Sequence, residues 1–278
     1  MSVYRLTGPN DPRVVDYRDI AEHELVRSRG LFVAEGRLVV RRLIEGRRHT
    51  LHSVLVSEAA YRALEATLAA AQVPIYICEA PDFFGITGHD IHRGCLALVE
   101  RPAALTVRAI LESYVGPASS GPPGNGTATT IIVLEGVTNP DNVGGVFRNA
   151  AAFGAGGVLL DPGSCDPLYR KAIRTSMAAV LRVPFARVDA WPDGLQVLHE
   201  LGFAIAALTP REPAVTIDAF AASRPPRLAL LVGTEGEGLT QQAESVADCR
   251  VRIPIAPDVD SLNLSVAVGI ALHRLSMI

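Results

Sequence analysis

The second half of the chain alternates apolar strand-like segments with helical segments, and this alternation limits the fold more than any other feature. Six segments have strand length and are rich in aliphatic residues: TIIVLEGV, GGVLLDP, RVPFARV, FAIAALT, LALLVGTE and RVRIPI. Helical patterns separate them, around residues 143–153, 167–181, 195–201 and 241–247. Strands that are apolar along their whole length are typical of parallel sheets with helices on both faces. The pattern therefore predicts an α/β domain with a mostly parallel sheet.

The first part of the chain predicts a smaller α/β domain. RGLFVAEGRLVVRRLIEGRRH reads as a short strand followed by a helix, and three more strand-like segments follow, in LHSVLVSEAA, VPIYICEA and GCLALVE. Val39 and Leu43 are four residues apart, as are Val40 and Ile44, which is the spacing of one helix face. Arginines lie roughly along another face of the same helix. That face could be solvated, or it could contact a phosphate-rich partner.

A segment of small and helix-breaking residues, GPASSGPPGNGT, separates the two parts. No apolar period runs through it, so we expect a flexible linker. The predicted organisation is a small α/β domain at residues 1–115, a linker at 116–129 and the larger α/β domain at 130–278.

Composition excludes several classes of protein. Hydrophobic residues make up 49% of the chain and charged residues 20%, which is typical of a globular protein. No uncharged apolar run reaches the ~18 residues of a membrane span, and the first twenty residues have no apolar segment typical of a secretory signal. The four cysteines form no C-x-x-C pair, and no His/Cys cluster indicates a metal site. We therefore expect a cytoplasmic protein with no bound metal and no membrane contact.

The net charge of −3 argues mildly against nonspecific coating of nucleic acid. Lys171 is the only lysine, so arginine carries nearly all the positive charge. Arginine also makes forked contacts with phosphate, so a local arginine patch matters more than the total charge.

Ligands of parallel sheets bind beyond the carboxyl ends of the strands, and three polar segments follow predicted strands. The first is LEGVTNPDNVGGVFRNAAAFGA. Asn142 is expected at the helix cap, and Arg148, on a helix of small residues, is expected to be buried near the same end. The turn lacks the G-x-G-x-x-G of a dinucleotide-binding fold, and its proline and acidic residues do not suit a pyrophosphate.

The other two segments are LALLVGTEGEGLT and RIPIAPDVDSLNLSVAVGIALHRL. Glycines in the first permit close approach of the main chain to a ligand. In the second, Ser261 is a plausible N-cap, but capping does not explain Asn263 and Ser265 as well, at the start of a helix that is otherwise apolar. These extra polar residues indicate a site at the start of the last helix.

NPDNVGGVFRNAAAFGA, LVGTEGEGL and IPIAPDVDSLNLSVAVGIALH together resemble the three motifs of the SpoU-type (TrmH-like) RNA ribose methyltransferases of the SPOUT superfamily. They occur in the family's order and cover nearly all of residues 130–278. The first part resembles the ribosomal-protein-like substrate-binding domain of the same family. The resemblance implies an α/β SPOUT domain whose C-terminal segment forms a trefoil knot, preceded by the small α/β RNA-binding domain.

The resemblance also implies an enzyme that transfers a methyl group from S-adenosylmethionine to a ribose 2′-hydroxyl in RNA, with ribosomal RNA of the 23S type favoured over transfer RNA. It implies a homodimer, which the apolar faces of the last helix also suggest. Two alternatives remain open: a tRNA 2′-O-methyltransferase, and a catalytically silent RNA- or ribosome-binding protein with the same fold.

Matching the family's motifs position by position implies catalytic roles for Asn142, Arg148, Glu235, Ser261 and Asn263. It implies contact with the methyl donor for Leu208, Thr209, Gly233, Ile253 and Leu262. With RNA as the implied partner, the arginine face of the first domain becomes an expected RNA contact, made by Arg37, Arg41 and Arg48. The family proposal makes Arg148 the general base, but arginine stays protonated in proteins. Glu235 therefore remains an alternative base.

Overall fold

The computed structural model describes residues 2–18, 22–88, 91, 94–115 and 129–276. The chain divides into two compact units, which we call unit 1 (Met1–Ala103 and Pro167–Ala178) and unit 2 (Ala104–Asp166 and Ala179–Ile278). These bounds differ from the predicted ones, since residues 104–115 group with unit 2 and residues 167–178 with unit 1. Of the predicted linker, only Thr129 lies within the described residues, where it begins a strand.

Unit 1 is a five-stranded mixed sheet with helices. Its strands are β1 (Val3–Arg5), β2 (Leu31–Glu35), β3 (Leu51–Ser57), β4 (Ile75–Cys78) and β5 (Cys95–Glu100). Its helices are α1 (Glu22–Ser28), α2 (Arg37–Gly46), α3 (Glu58–Ala69), α4 (Ala80–Thr87), α7 (Arg170–Thr175) and a 3-10 helix at Pro12–Tyr17. The strand order is β1-β4-β3-β5-β2, with β5 antiparallel to both of its neighbours.

Side-chain contacts explain why α7 belongs to unit 1. The Glu35 side chain is only 3% exposed and lies 3.0 Å from the guanidinium of Arg174 and 3.6 Å from that of Arg170. A buried carboxylate without cationic partners would be costly, so these ion pairs hold α7 against β2. On α2, the predicted apolar pairs Val39/Leu43 and Val40/Ile44 are all buried.

Unit 2 contains a seven-stranded sheet in which every pair of neighbouring strands is parallel. Its strands are β6 (Thr129–Leu134), β7 (Gly157–Leu160), β8 (Phe185–Arg187), β9 (Ala204–Leu208), β10 (Val215–Thr216), β11 (Arg227–Val232) and β12 (Cys249–Arg252). Its helices are α5 (Val107–Glu112), α6 (Pro140–Ala152), α8 (Gln196–Glu200), α9 (Ile217–Ala221), α10 (Gln241–Ser245) and α11 (Leu264–Ser276), with 3-10 helices at Ala179–Leu181 and Asp193–Leu195. The predicted α/β fold with a mostly parallel sheet is confirmed.

The sheet order is β10-β12-β9-β11-β6-β7-β8, which places the first strand of this unit, β6, beside the late strand β11. Three short elements of unit 2, α5, β10 and α9, were not predicted. The helix predicted at 167–181 is broken because Met177 and Ala178 have φ values of 54° and 66°, which a right-handed helix does not contain. Within the described ranges, no helix has both the length and the apolarity needed to cross a lipid bilayer.

Candidate active site

Four neighbouring strands of unit 2 end level with one another. At the end of β11, Val232 pairs with Leu134 of β6 on one side and with Leu208 of β9 on the other. Leu208 pairs in turn with Val251 of β12. The residues that follow these strands therefore meet at one edge of the sheet, where ligands of such folds bind.

A pocket opens at this edge, with an empty volume of about 750 Å³ that includes its part open to solvent. It is lined by all five residues for which donor contact was predicted: Leu208, Thr209, Gly233, Ile253 and Leu262. Two of the predicted catalytic residues, Glu235 and Ser261, also line it. The structure thus brings together residues from the ends of three strands and from the segment before α11.

The loop after β11 closes tightly on itself and leaves no room for a side chain at Gly233. A Cβ atom there would lie 2.2 Å from the carbonyl carbon of Gly238 and 2.3 Å from the amide nitrogen of Leu239. The amide of Gly238 donates to the carbonyl of Thr234 at 3.1 Å, and Gly238 has a φ of 74°, a value that favours glycine. We refer to residues 233–239 as the glycine loop.

Asn263 joins two of the other predicted catalytic residues, Asn142 and Glu235, into one hydrogen-bonded cluster. Its Nδ2 donates to Asn142 Oδ1 at 2.9 Å and to Glu235 Oε1 at 2.7 Å. Its Oδ1 accepts from Ser265 Oγ at 2.7 Å and from the amide of Val266 at 3.2 Å. Asn263 is therefore the N-cap of α11, so the prediction of Ser261 as the cap was wrong. We call Asn142, Glu235 and Asn263 the amide–carboxylate cluster.

Asn142 lies inside α6 rather than at its cap. The cap is Asn139, whose Oδ1 accepts from the amide of Asp141 at 2.9 Å, and Pro140 begins the helix because it needs no amide donor there. Asn142 lies in the first turn of α6 and is 5% exposed. Its side-chain oxygen accepts the hydrogen bond from Asn263 Nδ2. The predicted position of Asn142 at the cap was therefore wrong, although its side chain contacts Asn263 at the start of α11.

Helices α6 and α11 pack closely enough to fix the cluster. A Cβ atom on Gly145 would lie 2.6 Å from Ser265 Cβ, so only glycine permits this approach. Asn149 Nδ2 donates to the carbonyl of Ser265 at 2.6 Å. Asn149 also lies against Gly269, where an added Cβ would meet its Nδ2 at 3.0 Å. Asn149 was missed in the sequence, where it follows Arg148 without any distinguishing pattern.

Arg148 does not join the amide–carboxylate cluster. Its side chain is exposed, so the expectation of burial was wrong: the small residues that follow it do not cover it, since Ala151 and Ala152 are exposed as well. Among the described residues it has no hydrogen-bond or ion-pair partner. An exposed, unpaired guanidinium remains available to a ligand or a second chain. Ser261 lines the pocket but makes no described hydrogen bond to the cluster.

A second polar network beside the pocket was also missed. Glu135 is 5% exposed and directly follows β6. Its Oε2 accepts from the amide of Thr240 at 2.8 Å, and its Oε1 accepts from Thr240 Oγ1 at 2.7 Å and from Trp191 Nε1 at 2.8 Å. These bonds fix the end of the glycine loop, because Thr240 directly follows it. No three His, Cys, Asp or Glu side chains of the described chain lie close enough together to hold a metal ion.

The three arginines with a predicted RNA contact lie in unit 1. Arg37 and Arg41 are one turn apart on α2, the first half-buried and the second exposed. Arg48 is exposed but lies beyond the end of α2, since Arg47 adopts a left-handed conformation with a φ of 49°. Of the three arginines predicted to share a helical face, only Arg37 and Arg41 therefore lie on α2.

Comparison with known proteins gives the family. The model of the SpoU rRNA Methylase family matches residues 129–273. A protein of Mycobacterium tuberculosis (strain ATCC 25618 / H37Rv), named as an uncharacterized tRNA/rRNA methyltransferase, is 37% identical over 279 residues, which cover 99% of this chain and 92% of that one.

Two solved structures are similar along their whole length. An RNA 2′-O ribose methyltransferase has a TM-score of 0.77 and 26% identity, with 98% of each chain covered. An AdoMet-bound rRNA methyltransferase from Sinorhizobium meliloti has a TM-score of 0.78 and 23% identity, with 98% of this chain and 97% of that one covered. With the matched family model and the full-length relative, these findings show that the chain belongs to the SpoU rRNA methylase family.

Proposed function

We propose that this chain transfers the methyl group of S-adenosylmethionine to a ribose 2′-hydroxyl of RNA, and that its substrate is ribosomal RNA. The observation that carries the proposal is the amide–carboxylate cluster at the rim of the pocket in unit 2. The similar structure named as an RNA 2′-O ribose methyltransferase supports the position of the reaction on ribose. The family description favours ribosomal RNA, while the name of the Mycobacterium tuberculosis relative includes tRNA as well.

The lining of the pocket suits a methyl donor that carries a nucleoside. Apolar side chains form most of it, with a few polar groups such as Thr209 and Ser261, which is the pattern of small-molecule sites. The glycine loop brings Gly233, Gly236 and Gly238 to the pocket wall, where main-chain groups can contact a ligand directly. The Glu235 carboxylate at the rim complements a cationic ligand. When bound, the donor supplies an activated methyl group on a sulfonium.

The cluster would hold the acceptor ribose. Asn263 fixes the position of the Glu235 carboxylate, and Glu235 is exposed, so it can accept the proton of a hydroxyl within hydrogen-bond reach. Arg148 is also exposed, and it stays protonated, so we assign it the orientation of an RNA phosphate and the stabilisation of negative charge on the ribose oxygen. Ser261 completes the pocket rim on the acceptor side.

A second copy of the chain is the proposed partner of α11. Val266 and Ile270 are 49% and 40% exposed and lie four residues apart, on one face of this helix. Exposed aliphatic residues in such a row are typical of contact surfaces. The exposed Arg148 could then serve the active site of either copy. The arginines of unit 1 are the proposed RNA contacts, and the trefoil knot and the cytoplasmic location remain predictions.

The test is methyl transfer from labelled S-adenosylmethionine to unmodified rRNA, tRNA and assembling ribosomal particles, followed by digestion to nucleosides. We expect label in a 2′-O-methyl nucleoside from rRNA. Transfer to tRNA alone would establish the alternative substrate. Donor binding without transfer to any of the three would favour the catalytically silent RNA-binding protein, and absence of donor binding would contradict the proposal.

Substitution of Arg148 tests its assigned role. Arg148→Ala should abolish turnover and leave donor affinity within about tenfold of the unchanged protein, because Arg148 does not line the pocket. Arg182→Ala is the matched control, since Arg182 is also an exposed arginine of unit 2 and should leave turnover unchanged. Loss of donor binding in a folded Arg148→Ala protein would contradict this division of roles.

A further inference from the structure

Arg211 contacts two walls of the pocket, although none of the three motifs contains it. It follows Thr209 and Pro210, which line one wall, and its amide donates to Thr209 Oγ1 at 3.2 Å. Its side chain crosses to the glycine loop, which forms another wall. Arg211 thus connects the end of β9 to the loop after β11.

The guanidinium of Arg211 donates to two carbonyls of the glycine loop, one on either side of Gly238. Nη2 donates to the carbonyl of Glu237 at 2.7 Å, and Nη1 donates to the carbonyl of Leu239 at 3.1 Å. Hydrogen bonds from a charged donor are stronger than neutral ones. Because the guanidinium is planar and rigid, the pair of bonds also fixes the relative orientation of the two carbonyls.

This orientation matters because glycine permits many backbone conformations. Gly236 and Gly238 both have positive φ values, 89° and 74°, and a loop with such residues loses much entropy when it is fixed. The peptide between Gly238 and Leu239 also packs directly on Gly233. Rotation of that peptide would therefore change the pocket wall at Gly233, and the two bonds from Arg211 oppose it.

A buried carboxylate lies behind the guanidinium. The Glu244 side chain is 5% exposed, and its Oε2 lies 3.8 Å from Arg211 Nη1 and 3.1 Å from Arg250 Nη2. Arg250 shares this carboxylate with Arg211 but does not line the pocket and makes no described bond to the glycine loop. Both arginines therefore pair with Glu244, but only Arg211 makes a described hydrogen bond to the glycine loop.

We infer that Arg211 is a positioning residue for the methyl donor, which holds the glycine loop in its binding conformation before the donor arrives. The inference rests on the proposed function and assigns Arg211 no chemical step. When only a fraction of the protein has a competent loop, the apparent dissociation constant rises by the inverse of that fraction. Loss of Arg211 should therefore weaken donor binding without changing turnover at saturating donor.

The experiment compares Arg211→Met, Arg211→Lys and Arg250→Met in the full chain. Calorimetry with S-adenosylmethionine should give a dissociation constant about tenfold higher for Arg211→Met, which corresponds to a competent fraction of about one tenth. The KM for the donor should rise in parallel, while kcat and the KM for RNA stay within about twofold. Arg211→Lys keeps the positive charge near Glu244 but cannot donate to both loop carbonyls in the fixed geometry of a guanidinium. Its affinity for S-adenosylmethionine should therefore lie between those of the unchanged protein and Arg211→Met.

Arg250→Met separates loop positioning from general stability. It should lower Tm, because Glu244 loses its nearer cation, yet bind the donor as the unchanged protein does. Unchanged affinity in Arg211→Met, or an equal loss in Arg250→Met, would overturn the inference and leave the proposed function intact. Failure of the unchanged protein to bind S-adenosylmethionine would instead contradict the proposed function, and this inference with it.

Discussion

Substitution of Asn263 by aspartate tests whether the amide–carboxylate cluster is the functional centre. The two side chains have nearly the same shape, so packing is preserved. The acceptor Oδ1, which caps α11 through the amide of Val266 at 3.2 Å, is also preserved, and aspartate is as good an N-cap as asparagine. The change is that Nδ2, the donor to Asn142 and Glu235, is replaced by an acceptor oxygen of a negatively charged carboxylate.

The energetic cost of Asn263→Asp follows from the two hydrogen bonds that Nδ2 of Asn263 donates. The bond to the Glu235 carboxylate has a charged acceptor and contributes about 1.5–3 kcal/mol, and the buried carbonyl of Asn142 left without a donor costs about 1–3 kcal/mol. The new carboxylate would also lie where Nδ2 is now, 2.7 Å from Glu235 Oε1, with a repulsion of about 1.5 kcal/mol even at the dielectric constant of water. The lower ends of these ranges together exceed about 3 kcal/mol, equivalent to about a hundredfold in rate.

We therefore expect Asn263→Asp to lower kcat/KM for methyl transfer at least about a hundredfold. The assay is transfer of label to RNA over a range of donor concentrations, with Tm measured on the same preparations. Asn139→Asp is the matched control, because Asn139 caps α6 through its acceptor oxygen alone and loses no donor contact. Activity of Asn263→Asp within threefold of the control would refute the role of the cluster.

Three further changes test the pocket, the proposed dimer and a buried thiol. Gly233→Ala should abolish donor binding and lower the free energy of unfolding by about 1–3 kcal/mol, since the added Cβ would lie 2.2 Å from the backbone of Gly238. Gly46→Ala is the control in the same binding assay and thermal melts. It should be neutral or stabilising, because no atom lies within 4 Å of the position of its Cβ. Ile270→Asp should produce monomers in light scattering, and a monomeric unchanged protein would contradict the dimer. Burial raises the pKa of Cys95 to about 12, above its unfolded value of about 8.5. The unfolded thiol therefore ionises first, stability should fall as pH rises above about 8.5, and native Cys95 should resist iodoacetamide until the chain is denatured.

The sequence predicts the sheet of unit 2 because its strands are apolar along their whole length, a pattern that few other folds require. It predicts the pocket because residues after parallel strands meet at one edge. Helix caps were harder to predict. Ser261 and Asn263 both have side chains that can cap α11, and local preference does not distinguish them. At α6, proline at the first helical position indicates Asn139 as the cap, a signal that the prediction of Asn142 overlooked.

The exposure of Arg148 and the long-range contacts of Arg211 could not be predicted from the sequence. The small residues around Arg148 suggested burial, but Ala151 and Ala152, in the same stretch of α6, are themselves exposed, so their small size did not indicate packing. Arg211 lies between two proline residues in a segment without periodicity, and its function depends on carbonyls 26 and 28 residues away. Main-chain carbonyls carry no sequence signal, so only the folded chain identifies such a residue.

Two structural requirements, a helix cap and a double hydrogen-bond donor, explain why residue 263 is asparagine. The residue before α11 must accept a hydrogen bond from the first turn, which serine, threonine, aspartate and asparagine can all do. It must also donate to Glu235 and Asn142 at once, which requires two hydrogens on one atom. Among good capping residues, only asparagine offers an acceptor and an amide group with two donors. Serine would preserve α11 but could donate only once, and aspartate could not donate, so the start of the helix and the proposed active site together select asparagine.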